Sequence, residues 1–84
     1  MYKLEFYRQA LKAIGKFKLL TFIQLFNDIA DLKQNPRPHG YIKLTDREGY
    51  RIRSGDYRIL YEIDEDKKVV LISNILHRKD AYKS

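Results

Sequence analysis

Eighty-four residues, with 17 Lys+Arg against 11 Asp+Glu, a formal net charge of +6 and no cysteine, leave room for one domain spanning residues 1–84 and exclude a multidomain enzyme. The missing cysteines remove a disulfide scaffold, a thiol nucleophile and any Cys-ligated zinc or iron–sulfur site. At 44% hydrophobic and 33% charged the chain reads as folded rather than disordered, and its positive balance points to an acidic partner: nucleic acid, a membrane surface or an acidic protein. The longest apolar run, Val69 to Ile72, is far shorter than the ~20 residues of a membrane span, and no signal-peptide core precedes the first patterned segment. A cytoplasmic location is expected. A domain this small buries only ~60% of the surface its unfolded chain exposes, so a tightly bound partner would help it.

Tyr2–Tyr7 roughly alternates apolar and polar residues and is rich in aromatics, which predicts a strand. From Arg8 to Phe17 the period becomes helical: Ala10, Leu11, Ile14 and Phe17 share one face, with Arg8, Lys12 and Lys16 opposite. Leu19–Lys33 predicts a second amphipathic helix, with Phe22, Leu25, Phe26, Ile29 and Leu32 as its apolar stripe. It must stop at Asn35-Pro36-Arg37-Pro38, because proline cannot donate to the helix ladder and disfavours helical geometry in the residue before it. Beyond Gly40 the signals are those of strands. Tyr41–Leu44 is a short one, followed by a polar loop over residues 46–49. Tyr50–Arg53 and Tyr57–Ile63 read as a hairpin closed by Ser54-Gly55-Asp56. A second tight connection, Asp64 to Lys67, leads into Lys68–Leu76, whose Val/Leu/Ile run predicts a strand buried on both faces.

Alternation across the hairpin places Tyr50 and Ile52 with Tyr57, Ile59, Tyr61 and Ile63 on one face, and Arg51 and Arg53 with Arg58, Leu60 and Glu62 on the other. With the helices on the apolar face, three guanidinium groups stand together on an open surface suited to phosphate oxygens. The competing reading has these arginines solvated and paired with Glu48, Glu62 or Asp64. A second constellation closes the chain: His77, Arg78, Lys79, Asp80 and Tyr82 combine groups that move protons with groups that neutralise phosphate charge, or else form a solubilising or partner-binding tail. His39, between Pro38 and Gly40, reads as a solvated loop residue, and Tyr2, Tyr7, Tyr41, Tyr50 and Tyr57 read as core and strand formers. No glycine-rich phosphate loop or nucleophile elbow is present, and two distant histidines make no metal-ligand spacing.

Taken in order, QNPRPHGYIKL, YRIRSGDYRILYEI and ILHRKDAY resemble the RelE/ParE superfamily of bacterial type II toxins, and especially its RelE-like branch, over essentially the full chain. The resemblance implies an α+β fold: two amino-proximal helices on one face of a curved, mostly antiparallel sheet of four or five strands. It implies a ribosome-dependent endoribonuclease that cleaves messenger RNA with the RNA's own 2′-hydroxyl as nucleophile and needs no metal or cofactor. The family's site residues fall on Arg51, Arg53, Arg58, Arg78 and Tyr82, with Arg58 and Arg78 on the scissile phosphate and Tyr82 against the neighbouring base. The implied partners are the ribosome with its mRNA and a small antitoxin, whose acidic amphipathic segment would cover the arginine face in a hetero-oligomer; no membrane is implied.

The chain departs from the best-known pattern in its paired strand positions, which are often lysines, one of them a plausible general base, whereas Arg51 and Arg53 stay protonated. Proton transfer then falls to His77, Tyr82 or Glu48, and His77 is the expected base because histidine ordinarily titrates near neutral pH. A ParE-like inhibitor of DNA gyrase and a catalytically inert basic module that docks RNA or protein are the alternatives.

Overall fold

The computed structural model describes residues 1–45 and 47–81. In chain order it runs β1 (Lys3–Phe6), α1 (Arg8–Ile14), α2 (Leu19–Asp31), β2 (Ile42–Lys43), β3 (Tyr50–Ser54), β4 (Tyr57–Asp64), β5 (Val69–His77) and one helical turn, α3 (Arg78–Ala81). The strands form a single sheet in the order β1-β5-β4-β3-β2. β1 lies parallel to β5, and the other neighbouring pairs are antiparallel. Two helices packed on a mostly antiparallel five-stranded sheet is thus the architecture, as the sequence predicts. No helix among the described residues is long and apolar enough to cross a membrane.

The core lies between α1 and α2 and one face of the sheet, where Ala10, Leu25, Ile29 and Leu32 meet Ile52, Ile59, Tyr61, Val70, Ile72 and Ile75. Both helices are shorter than their periodicity suggests. α1 ends at Ile14 rather than Phe17, because Gly15, a weak helix former, opens a tight turn in which Lys16 and Phe17 donate to the Ala13 and Ile14 carbonyls. Leu11, expected on the buried face, is 54% exposed. α2 ends at Asp31 in similar three-residue turns, Leu32 and Lys33 donating to Ile29 and Ala30. The proline segment that follows is fixed by the buried Tyr61, whose hydroxyl donates to the Pro36 carbonyl at 2.6 Å. Phe26, at the rim of the α2 stripe, is 43% exposed.

The β3–β4 hairpin has two central residues, with Ser54 opposite Tyr57 and Gly55 at φ +60, the left-handed conformation that glycine adopts without steric cost. The hairpin tip is fastened to α2 by Ser54 Oγ, which donates to Asp28 Oδ2 at 2.5 Å, and it runs close enough to α2 that a Cβ added at Gly55 would lie 3.0 Å from Gln24 Nε2. β5, between β1 and β4, is buried on both faces only at Val69 and Val70, while Leu71 and Leu76 are half-buried. Its ladder is interrupted once. Leu60 pairs with Asn74 and Tyr61 with Ile72, which leaves Ser73 as the extra residue of a β-bulge, its carbonyl receiving Gln9 Nε2 at 2.8 Å. Beyond the bulge the faces exchange, so Ile75 and His77 join the helix side and Asn74 and Leu76 the open side.

Candidate active site

The arginines lie on the face of the sheet away from α1 and α2. Directly paired residues of antiparallel strands project to the same side, and Arg53 pairs with Arg58 while Arg51 pairs with Leu60. Leu76, beside Arg58 on β5, and Leu60 give this face an apolar floor; Leu60 is only 6% exposed although it lies outside the main core cluster. Its burial fits arginine stems laid across it with their charged ends in water.

The carboxyl-terminal segment folds back onto the hairpin. The Arg78 N–H donates to the Asp56 carbonyl at 2.7 Å, and the Lys79 N–H donates to His77 Nδ1 at 3.2 Å. Arg53, Arg58, Arg78 and Lys79 then line an open cleft of about 450 Å³. Every described lining residue is a cation. Arg53 Nε donates to the Gly55 carbonyl at 3.3 Å, whereas Arg51 Nε and Arg58 Nη1 are buried with no hydrogen-bond partner. Among the described residues the ion pairs are Arg37–Glu65 and Lys68–Glu65, so none of Arg51, Arg53, Arg58 and Arg78 meets a carboxylate there.

The pairing read as an alternative from the sequence is therefore not formed among these residues. Glu48, Glu62 and Asp64 instead line a separate cleft of about 540 Å³ with Lys43, Tyr50, Glu65 and Asp66. Glu62 Oε2 there receives the Tyr7 hydroxyl at 3.2 Å, and the negative charge of Glu62 holds the Tyr7 pKa above the ordinary tyrosine value. Glu65 is held below the usual glutamate range, chiefly by its hydrogen bond from Arg37, and also receives Tyr2 Oη and Lys68 Nζ. The acidic and basic clefts share no lining residue.

Of the residues singled out in the sequence, the structure brings Arg53, Arg58 and Arg78 together, with Arg51 next along β3 and outside the cleft lining. His77 goes elsewhere. It pairs with Tyr57 on the helix side, its ring edge-on to Tyr57 at 5.2 Å, and Tyr57 in turn packs edge-on against Phe17 at 4.8 Å. Its expected place among the arginines is corrected accordingly: the Ser73 bulge turns it to the opposite face. Tyr82 lies outside the described residues. His39 is exposed in its loop, and Tyr50 and Tyr57 pack against the core as expected, while Tyr7 and Tyr41 are 41% and 40% exposed. Lys79 was read from the sequence only as one of the charge-neutralising groups of the carboxyl-terminal constellation, and only the fold-back to Asp56 shows that it lines the cleft.

Such a cleft binds phosphate oxygens through planar, permanently charged donors, and its arginines cannot accept a proton. Comparisons with known proteins give the family. The family described as ParE toxin of type II toxin-antitoxin system, parDE, matches residues 5–82. The chain belongs to that family of toxins. This toxin is 26% identical over 87 residues, 99% of its length and 97% of the other protein's, to a protein named as a RelE1 toxin from Methanocaldococcus jannaschii. It resembles a chain of the archaeal RelE–RelB complex from Pyrococcus horikoshii OT3, with a TM-score of 0.81 and 26% identity over 92% of this chain and 94% of that one. It also resembles the isolated E. coli RelE toxin, with a TM-score of 0.80 and 25% identity over 99% and 97% of the two chains. The RelE/ParE superfamily assignment made from the motifs therefore stands.

Proposed function

We propose that this toxin is a ribosome-dependent endoribonuclease that cleaves messenger RNA by attack of a 2′-hydroxyl on the adjacent phosphate. The observation that carries the reading is the cleft lined by Arg53, Arg58, Arg78 and Lys79, with no carboxylate among its described lining residues. Cleavage passes through a crowded phosphorane carrying more negative charge than the diester, and donors aimed at that charge act most strongly where it develops. In this reading Arg58 and Arg78 hold the scissile phosphate, Arg53 and Arg51 extend the positive surface along the RNA, and Tyr82 stacks on or orients the base beside the cut. His77 is not given a catalytic role.

A small antitoxin covers the arginine face in the resting cell. Relatives solved as RelE–RelB complexes, from P. horikoshii and E. coli at 26% identity each, support that partner. The expected consequence is that the assembled complex loses the salt-sensitive ribosome binding of the free toxin; unchanged binding would count against an antitoxin seated on Arg51, Arg53 and Arg58.

The ParE name of the matching family favours a second reading, inhibition of DNA gyrase. One experiment separates the two. The toxin and its Arg58→Ala variant are induced in cells without antitoxin and the 5′ ends of translated messages are mapped. New ends in register with codons, absent in the variant, support the nuclease. Growth arrest with DNA damage and no new ends supports the gyrase reading, and the absence of any phenotype supports an inert binding module.

A further inference from the structure

We infer that Lys79 is the general base of this site, an inference that rests on the nuclease reading above. Attack by a 2′-hydroxyl needs a group that takes its proton, and a guanidinium cannot serve. Of the four described side chains that line the basic cleft, three are guanidinium groups and the fourth is the primary amine of Lys79. Amines of this kind exchange their proton and act as bases in enzymes, which arginine does not.

Among the described residues, no carboxylate and no histidine lines the cleft. Glu48, Glu62 and Asp64 line the separate acidic cleft, and His77 turns to the helix side against Tyr57, with its Nδ1 receiving the Lys79 N–H. That same hydrogen bond, together with the Arg78 N–H to the Asp56 carbonyl, fixes the backbone from which the Lys79 side chain extends. Among the described residues, the charged groups that share the cleft with it are Arg53 from β3, Arg58 from β4 and Arg78 from α3, all of them cations.

The step balances without an added reagent. The Lys79 amine takes the 2′-hydroxyl proton as the 2′-oxygen bonds to phosphorus. The bond from phosphorus to the 5′-oxygen breaks, and its electron pair stays on that oxygen. A proton then returns from the Lys79 ammonium, through solvent in the open cleft, to the departing oxygen. The upstream fragment ends in a 2′,3′-cyclic phosphate and the downstream one begins with a 5′-hydroxyl.

The test uses the purified full-length toxin, programmed ribosomes and single-turnover cleavage measured from pH 6 to 9. Lys79→Arg keeps the positive charge and removes the base, Lys79→Ala removes both, and Tyr82→Phe is the control for a phenolic base. Because Lys79 is exposed, the variants should fold, and circular dichroism checks this. The expected result is a loss of about a hundredfold or more for Lys79→Arg with ribosome binding retained, a rising pH limb present in the wild type and Tyr82→Phe but absent from Lys79→Arg, and partial rescue of Lys79→Ala by added ethylamine. A Lys79→Arg variant within about threefold of wild type with the same pH profile, or a rising limb lost in Tyr82→Phe instead, overturns the assignment. A wild type that cuts no message overturns the nuclease reading itself and this assignment with it, whereas cutting that is indifferent to Lys79 overturns only the latter.

Discussion

Arg58→Met should raise the stability of the free toxin while removing its activity. Arg58 Nη1 is buried without a hydrogen-bond partner, Arg53 stands directly opposite, and none of the described carboxylates pairs with either. An orphaned buried donor costs about 1–3 kcal/mol. The lower end applies, because Arg58 is only partly buried and the rest of its guanidinium reaches water. Methionine keeps an unbranched stem over Leu60 and Leu76, removes the orphan and relieves the repulsion with Arg53, so the variant should be stabilised by about 1 kcal/mol. For a domain of this length that is a rise in Tm of about 4–8 °C. Calorimetry in a low-salt buffer free of phosphate measures it. Added inorganic phosphate should then narrow the gap by stabilising the wild type more than the variant, since a ligand that binds only the native state stabilises it by mass action. A variant that melts several degrees below wild type in that buffer, or equal phosphate stabilisation of both proteins, would refute the idea that Arg58 is held for an anion at the expense of the fold.

Tyr61→Phe removes the hydroxyl that donates to the Pro36 carbonyl in a fully buried position, and should cost about 1–3 kcal/mol in urea unfolding while leaving ribosome binding intact. Glu65→Gln probes the ion pair that ties the proline segment to the β4–β5 turn. The folded-state pKa of Glu65 is depressed, so its contribution is present above the ordinary glutamate value and is lost as pH falls through the folded one. The stability difference between wild type and Glu65→Gln should therefore shrink in acid, and a difference independent of pH between 3 and 7 would contradict it.

The hairpin was legible because its signals are local. A two-residue turn with Gly55 and strict alternation on both sides fix the register, and a side-chain period of two then sends Arg51, Arg53 and Arg58 to one face. The helices were legible in kind but not in length, since their last turns tighten at Gly15 and Leu32 for reasons that periodicity does not carry. The carboxyl-terminal part of the site was not legible. Unbroken alternation from Ile72 would place His77 on the open face beside the arginines. The extra residue at Ser73 reverses the two faces and carries His77 to the core side. A Ser-Asn pair inside an otherwise apolar strand is the only local hint of that bulge. The place of Lys79 in the cleft was not legible for a related reason: it depends on the hydrogen bond from the Arg78 N–H to the Asp56 carbonyl, which joins the end of the last strand to the hairpin turn.

Cutting messenger RNA on the ribosome is the work proposed for the basic cleft. Its most direct test is single-turnover cleavage of a defined message by purified toxin, with and without ribosomes, comparing wild type with Arg58→Ala and Arg78→Ala. The account predicts cuts that require the ribosome and fall by about a hundredfold or more in each variant, the scale on which loss of one donor to a developing oxyanion is felt. Cleavage that persists undiminished in both variants, or a wild type that leaves the message intact and instead blocks gyrase supercoiling, would contradict it.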